Sequence, residues 1–405
     1  MGDCRVCSGP VHEFADFGRQ PLSDAFRLPD EGGEEFFFRL AVGMCSSCTM
    51  VQLMEEVPRE LMFHAGYPYY SSGSARMRTH FADTARKFLD ASGPNGLIVE
   101  LGCNDGAMLH VVAEAGRRHL GIEPSGAVAE VATARGVRVW CEFFDTDVAG
   151  RIRAQDGPAD VIFAANTLCH IPYVNSILSG VSELLAPDGM FVFEDPYFAD
   201  ILAKTSFDQI YDEHFFFFTA GSVSALAARH GLELVDVERL VVHGGEIRYT
   251  LMRAGARAPS PAVAALLQEE AVARVTEQAT LKQFQVNVER IRADLISLLT
   301  RLRAEGRSVV GYGATAKSAT VINYCGIGPE LVSYVCDTTP AKQGRLTPGA
   351  HIPVRPHETF KASYPDYALL FAWNHGDEIM ANERDFSKAG GRWIRYVPEV
   401  GVTSA

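Results

Sequence analysis

The sequence lacks any apolar run near the roughly 20 residues that a membrane-spanning helix needs, and its first residues hold charges and cysteines where a secretory leader would hold an apolar core. A cytoplasmic protein is therefore expected. It also lacks a surplus of positive charge: 50 acidic against 37 basic residues give a net charge of −13, and no cluster of Lys and Arg marks a nucleic-acid surface. No nucleic-acid or membrane partner is expected, and an anionic substrate would need a local basic pocket to offset that field. No Ser-His-Asp arrangement and no open metal site is visible, which leaves little for hydrolysis. The nine cysteines are an odd number in a chain of 405 residues, which argues for thiols and metal ligands over a disulfide framework. With 47% apolar and 21% charged residues the chain is globular, and its length exceeds one core, so two or three domains are expected.

Cys4-Arg5-Val6-Cys7 and Cys45-Ser46-Ser47-Cys48 repeat one short spacing, and each pair can grip one edge of a metal from a knuckle-like turn. Together Cys4, Cys7, Cys45 and Cys48 make a tetrahedral four-thiolate site that suits Zn²⁺ and leaves no position for chemistry. The zinc is therefore structural, in a unit spanning residues 1–75. Strand-like segments such as Glu35 to Val42 lie between the pairs and can bring the knuckles together. The loop Tyr67-Pro68-Tyr69-Tyr70-Ser71-Ser72-Gly73-Ser74 comes just before a helix, Ala75 to Leu89, which places Tyr69 and Tyr70 over a pocket mouth as substrate contacts.

The next domain, residues 76–290, alternates helices with apolar strands at Leu97 to Glu100, Leu120 to Glu123, Val137 to Trp140, Ala159 to Ala164 and Met190 to Glu194. That alternation predicts a doubly wound α/β sheet with ligands at the carboxyl ends of its strands. The first strand ends at Glu100 and breaks into Gly102-Cys103-Asn104-Asp105-Gly106, a tight turn whose backbone can approach a ligand closely. The second ends at Glu123, near the distance at which a carboxylate accepts hydrogen bonds from a ribose diol. Two acids at consecutive strand ends, with no Gly-x-Gly-x-x-Gly between them, favour a nucleoside carrying positive charge over a dinucleotide pyrophosphate. S-adenosylmethionine is that ligand. Its expected contacts are Glu100, Gly102, Asn104, Asp105, Gly106 and Glu123, joined by Asn166, which follows the fourth strand together with His170.

After Phe193-Glu194-Asp195 the pattern changes, and the chain inserts Tyr211-Asp212-Glu213-His214 against Phe215 to Phe218. A wall of phenylalanines excludes water and shifts the pKa values of the groups it encloses. The donor's sulfonium makes its methyl electrophilic, so the protein must supply an aligned nucleophile. If the acceptor is a carbon next to a ketone, His214 is the natural base, and Tyr211, Glu213 or His170 can orient it or donate to the enolate oxygen. Glu194, and His243 in the turn between strands at Leu232 to Val242 and Ile247 to Arg253, are expected on the substrate side. From about Ser260 to Arg303, Leu, Val and Ile recur at three- and four-residue steps, which predicts one long linker helix. A second strand-turn-helix unit opens at Gly311-Tyr312-Gly313-Ala314-Thr315-Ala316-Lys317, and Val332 to Asp337 is its second strand. Gly313, Thr315, Lys317 and Asp337 look built to hold a nucleotide's phosphates and sugar, with Lys342 and Arg345 as further cations.

Over essentially its whole length the chain resembles the nucleotide-sugar C-methyltransferases of antibiotic deoxysugar pathways, the TDP-4-keto-sugar 3-C-methyltransferases. The matching stretches are the two Cys-x-x-Cys pairs, Pro21-Leu22-Ser23-Asp24-x-Phe26, the tyrosine-rich loop, Glu100-x-Gly102-x-Asn104-Asp105-Gly106, Gly121-Ile122-Glu123-Pro124-Ser125, Tyr211-x-Glu213-His214 and Gly311-x-Gly313-Ala314-x-Ala316-Lys317. The resemblance implies an α/β protein of three parts: a small zinc-binding N-terminal domain (1–75), a doubly wound class I methyltransferase domain with a catalytic insertion (76–290) and a second, Rossmann-like C-terminal domain (291–405) that holds a TDP-linked keto-deoxysugar. It also implies His214 as base, supported by Tyr211, Glu213 and His170, with a tyrosine of the Tyr67 to Tyr70 loop at the pocket; Tyr67 is the candidate. Family members often carry Ser or Tyr where this chain has Phe215 to Phe218, which predicts a more apolar pocket.

Other readings stand beside it: methylation of a different small acceptor, NAD-dependent dehydrogenation through the C-terminal Gly-x-Gly turn, and non-enzymatic metabolite binding. Glu100 and Glu123 speak against the dehydrogenase, because an acid ending the first strand repels a pyrophosphate. Tyr211-x-Glu213-His214 beside the phenylalanines speaks against a mere binding protein.

Overall fold

Two long strands, Pro10–Pro21 and Phe37–Cys45, pair antiparallel with Val11 opposite Cys45, which brings the two cysteine turns to one end of a sheet. The computed structural model, which describes residues 2–62, 70–242 and 244–403, completes that sheet with Gly2–Asp3, Val51–Leu53 and, from far along the chain, Phe216–Phe217. At each knuckle the chain turns back through a left-handed residue, Ser8 at φ 60° and Thr49 at φ 59°. The Sγ atoms of Cys4, Cys7, Cys45 and Cys48 all lie within 4.8 Å of one another. Cys4–Cys48 and Cys7–Cys45 are each 3.5 Å apart, near the edge of about 3.8 Å expected for a tetrahedron with metal–sulfur bonds of about 2.3 Å, and far from the roughly 2.05 Å of a disulfide. Backbone N–H groups of Val6, Gly9 and Ser47 donate to the sulfurs of Cys4, Cys7 and Cys45, which favours thiolates. The donor set fits a closed Zn²⁺ site.

The second sheet has seven strands in the order Leu232–Leu240, Glu246–Arg253, Leu185–Pro196, Ala159–Ala165, Ile98–Leu101, His119–Ile122 and Val139–Trp140. The last five run parallel, and Glu246–Arg253 runs against both its neighbours. Helices cover both faces, so the central strands read as continuous apolar runs: Ile98 and Val99, and Val161 to Ala164, are fully buried. Strand order reverses on either side of Ile98–Leu101, which opens a crevice at its carboxyl end. The third sheet repeats the plan with Val354–Pro356, Val335–Asp337, Val309–Tyr312, Tyr367–Leu370 and Arg392–Arg395 in parallel, and Gly401–Thr403 antiparallel at its edge. Its order reverses at Val309–Tyr312.

Two expectations change. The stretch between Ser260 and Arg303 is two helices, Pro261–Val272 and Gln278–Ala304, because Arg274 at φ 55° interrupts the helical backbone. The four phenylalanines do not line the cavity. Phe216 and Phe217 pair with Gln52 and Val51, while Phe217 and Phe218 pack on Phe198 and Phe193, so the aromatic run is core between two sheets. No helix among the described residues is long and apolar enough to cross a membrane.

Because the thiolates tie strands together and leave no position for substrate, Cys45→Ser is expected to lower both the zinc content and the unfolding midpoint. Donor affinity, measured while the variant is still folded, should stay within about twofold. A variant that keeps its melting behaviour and loses only activity would overturn the structural role.

Candidate active site

The carboxyl ends of the second and third sheets face one another across a cavity of about 740 Å³, within the range of small-molecule sites. On one side the strand Ile98–Leu101 breaks into the predicted turn. Gly102 stands at φ 68°, and a Cβ there would come within 2.5 Å of Thr167 Oγ1, so glycine is required. Asn104, left-handed at φ 49°, donates its N–H to Glu123 Oε2 at 2.9 Å, and Ser125 N–H donates to Oε1 at 2.8 Å. Burial raises the Glu123 pKa while these two donors pull it back. Glu123 lines the cavity, and a carboxylate has lone pairs beyond the two already used to accept from a diol. Asn166 repeats the device after the fourth strand, at φ 47° with its N–H donating to Glu194 O at 2.7 Å. Gly102, Asn104, Glu123 and Asn166 thus stand together in the wall.

Other predicted contacts lie behind it. Glu100 is buried outside the lining, and burial, then Asp105, raises its pKa well above the usual range. Its carboxyl is therefore not the charge that repels a pyrophosphate, and that argument rests on Glu123. Asp105 is fully buried and fastens a neighbouring segment: it accepts from Ser72 N–H and Ser72 Oγ and pairs with Arg135 at 3.1 Å. Asn104 Oδ1 accepts Ser71 N–H at 2.9 Å. The turn thereby holds Tyr70 to Ser74 at the cavity, where Tyr70, Ser71, Gly73 and Ser74 line it. Gly106 packs where a Cβ would meet Ala132 and Val137. Glu194 is also off the cavity, buried between Arg248 Nε at 2.7 Å and His80 Nε2 at 2.6 Å. Tyr67, Tyr69 and His243 lie outside the described residues.

At the centre stand Tyr211, Glu213, His214 and His170. His214 Nδ1 lies 2.9 Å from Gln209 O. A carbonyl only accepts, so Nδ1 carries the proton and Nε2 the lone pair, to which Tyr211 Oη donates at 2.7 Å. Burial, reinforced by Glu213, pushes the Tyr211 pKa well up, so the phenol stays a donor. The His170 ring stacks on His214 with centroids 5.2 Å apart, and burial drops its pKa to about 4, so it is neutral.

The third sheet supplies the opposite wall. Thr315 caps the helix Ala316–Cys325 by accepting Ser318 N–H at 3.2 Å, and the Lys317 ammonium lies 5.5 Å from the Trp373 ring. Burial lowers the Lys317 pKa while Asp208 and Glu246 oppose that shift. Asp337 accepts the N–H groups of Ala314 and Thr339, each at 2.7 Å. Thr315, Lys317 and Asp337 line the cavity and Gly313 does not; Gly313, at φ 90°, lies where a Cβ would meet Ala372 at 2.9 Å. Sequence reasoning missed Arg59, whose guanidinium stands over the Phe143 and Tyr173 rings at 4.2 and 5.0 Å, and Asp24, Asn374 and His375. The apolar run Tyr367 to Trp373, closing in Asn374-His375, had the signature of a strand end at a switch point.

Together the glycine-asparagine turn, the buried acid that ends the second strand at the crevice and the mixed seven-stranded sheet fit an S-adenosylmethionine-dependent methyltransferase. Residues 4–63 match a family model described as "Putative zinc binding domain", residues 74–237 one described as "Methyltransferase domain" and residues 241–398 one described as "C-methyltransferase C-terminal domain". C-methyltransferase NovU of Streptomyces niveus is 36% identical over 410 residues, which span 100% of this chain and 97% of that protein. The chain belongs to the C-methyltransferase family. Solved structures with a similar fold include the S-adenosylmethionine-bound magnesium protoporphyrin IX methyltransferase of Synechocystis (12% identity, 44% of this chain and 79% of that one, TM-score 0.34) and the CcbJ methyltransferase of Streptomyces caelestis (15%, 44% and 90%, TM-score 0.35). The dehydrogenase and pure binding-protein readings end here.

Glu123→Ala removes a charged acceptor, and such hydrogen bonds contribute about 1.5–3 kcal/mol. Calorimetry should show S-adenosylmethionine affinity falling roughly ten- to a hundredfold with the fold retained. Unchanged affinity would take Glu123 out of the ribose role.

Proposed function

We propose that this enzyme methylates the carbon next to the ketone, C-3, of a TDP-linked 4-keto-deoxysugar, of the kind used in antibiotic deoxysugar assembly. Residues 1–75 form the zinc-bearing unit, 76–290 hold the methyl donor, and 291–405 hold the nucleotide-sugar. The observation that carries the reading is His214: its tautomer leaves a lone pair on Nε2 in a cavity shared by the donor turn and the Thr315–Lys317 turn. When bound, S-adenosylmethionine supplies an electrophilic methyl group.

His214 Nε2 takes the proton from the acceptor carbon, and the C–H electron pair passes into an enolate. Tyr211, released from Nε2 as the imidazole becomes protonated, is a neutral donor within reach of the enolate oxygen. Neutral His170 stacks against His214 without placing a second charge beside the imidazolium. The enolate carbon then bonds to the methyl carbon as the carbon–sulfur bond breaks, and His214 returns its proton to solvent. Glu213 orients the imidazole, and Tyr70 of the adjoining loop, which lines the cavity, contacts the acceptor.

General bases contribute about 10²–10⁴ in rate, so His214→Asn should lose activity in that range while both ligands still bind. In deuterated water without a methyl donor, the wild type is expected to wash deuterium into the carbon next to the ketone, and His214→Asn is not. Exchange in the variant at the wild-type rate would move the base elsewhere, His170 being the next candidate.

A further inference from the structure

The zinc-bearing unit reaches the cavity through a short strap. After the strand Pro10–Pro21 the chain passes Ser23, whose N–H donates to Asp212 Oδ1 at 3.1 Å, two residues from the proposed base. Phe26 O then accepts from Arg345 at 3.1 Å, and Arg27 exchanges backbone hydrogen bonds with Leu346 at 2.7 and 3.2 Å. Between these anchors Asp24 Oδ1 lies 2.8 Å from Lys342 Nζ, with side-chain exposures of only 17% and 13%. Both residues line the cavity. The ammonium also donates to Ala314 O at 3.0 Å and stands 4.7 Å over the Phe26 ring.

This pair has the features of a ligand site. An ammonium has three N–H donors, and Lys342 uses two among the described residues. Its surroundings are the Thr338–Pro340 turn and the capped start of the helix Ala316–Cys325, where hydroxyls and helical N–H groups favour an anion. Burial disfavours the charge, but Asp24, Asp337 and Glu213 more than offset it and hold the pKa above its ordinary value. Of the other long cations in the wall, Arg59 stacks at the donor end, and Lys317 lies by the Trp373 ring; both lysines have acids near them, Asp208 and Glu246 for Lys317 and Asp24, Asp337 and Glu213 for Lys342. What sets Lys342 apart is that it is held from both sides of the cavity, by Asp24 of the zinc-bearing unit and by Ala314 O of the third sheet's turn.

We propose that Lys342 is a ligand to the diphosphate of the nucleotide-sugar, and that Asp24 is the positioning residue by which the zinc-bearing unit aims it. The inference rests on the nucleotide-sugar reading above. A bare structural tie would show itself in stability and in donor binding, whereas an aimed ligand shows itself in acceptor binding.

The test is calorimetric titration of the full-length, zinc-replete enzyme with thymidine diphosphate, alongside S-adenosylmethionine titration, zinc content and melting midpoint. Lys342→Met is expected to weaken thymidine diphosphate binding roughly ten- to a hundredfold, and Asp24→Asn by a smaller factor, with donor affinity and zinc content unchanged. Asp24→Asn should raise the acceptor KM and leave kcat within about twofold. In the Lys342→Met background Asp24→Asn should add no further loss, since its effect passes through the ammonium. Full thymidine diphosphate affinity in Lys342→Met, or an additive double variant, overturns the inference and leaves the nucleotide-sugar reading standing. Failure of the wild type to bind thymidine diphosphate overturns both. If a variant loses its melting transition, Lys342→Gln and Asp24→Ser are measured in its place, and unchanged thymidine diphosphate affinity in both overturns the inference.

Discussion

The short ladder between Phe216–Phe217 and Val51–Leu53 is the contact on which the placement of the reacting groups depends. It brings a segment of the donor-binding part into the zinc-bearing sheet, with Leu53 N–H donating to Phe215 O at 2.9 Å. Burying a phenylalanine contributes about 1.5–3 kcal/mol, so four in succession anchor this crossing far more strongly than its few hydrogen bonds do. His214 immediately precedes the run, Gln209 O fixes its Nδ1, and Asp212 is held by Ser23. The imidazole cannot swing without pulling on two sheets. That is the preorganisation the proposed base needs to meet a weakly acidic C–H.

The two open sheets use one device twice. In the donor half, Glu123 at the end of the second strand gathers the N–H of Asn104 from the neighbouring turn and the N–H of Ser125 two residues on. At the third sheet, Asp337 gathers Ala314 and Thr339 in the same way. Each acid stitches the glycine turn of the first strand to its own turn and keeps lone pairs free. What differs is the charge behind the turn. Glu123 lines the first wall, whereas Lys317 and Lys342 line the opposite one, which suits the anion proposed to bind there.

How much of this was legible in the sequence depended on how local the cause was. The zinc ligands could be read because two identical spacings fix two identical turns. Gly102, Asn104 and Glu123 could be read because an apolar strand that stops at a glycine turn leaves its next residues at the crevice. Glu100 and Glu194 misled for one reason: an acid at a strand end looks the same whether it faces ligand or is buried, and the partner Arg248 that keeps Glu194 inward is remote in sequence. The phenylalanine run was correctly expected to be buried but assigned to the wrong neighbour, since nothing local says which sheet a two-residue strand will join. Asp24 with Lys342 was beyond reach for the same cause, the two being 318 residues apart.

The crossing of Phe216–Phe217 into the first sheet also has a consequence in time. On the ribosome the zinc-bearing unit emerges first, but the edge of its sheet at Val51–Leu53 has no partner until the phenylalanines are made. At about 5–20 residues per second, that wait is on the order of ten seconds, during which an apolar edge strand with unpaired N–H and C=O groups is open to other chains. Metal capture fixes the turn that joins this strand to Phe37–Cys45, with Met44 opposite Val51, and leaves its outer edge bare. A fragment that ends between Leu53 and Phe215 keeps that edge for good.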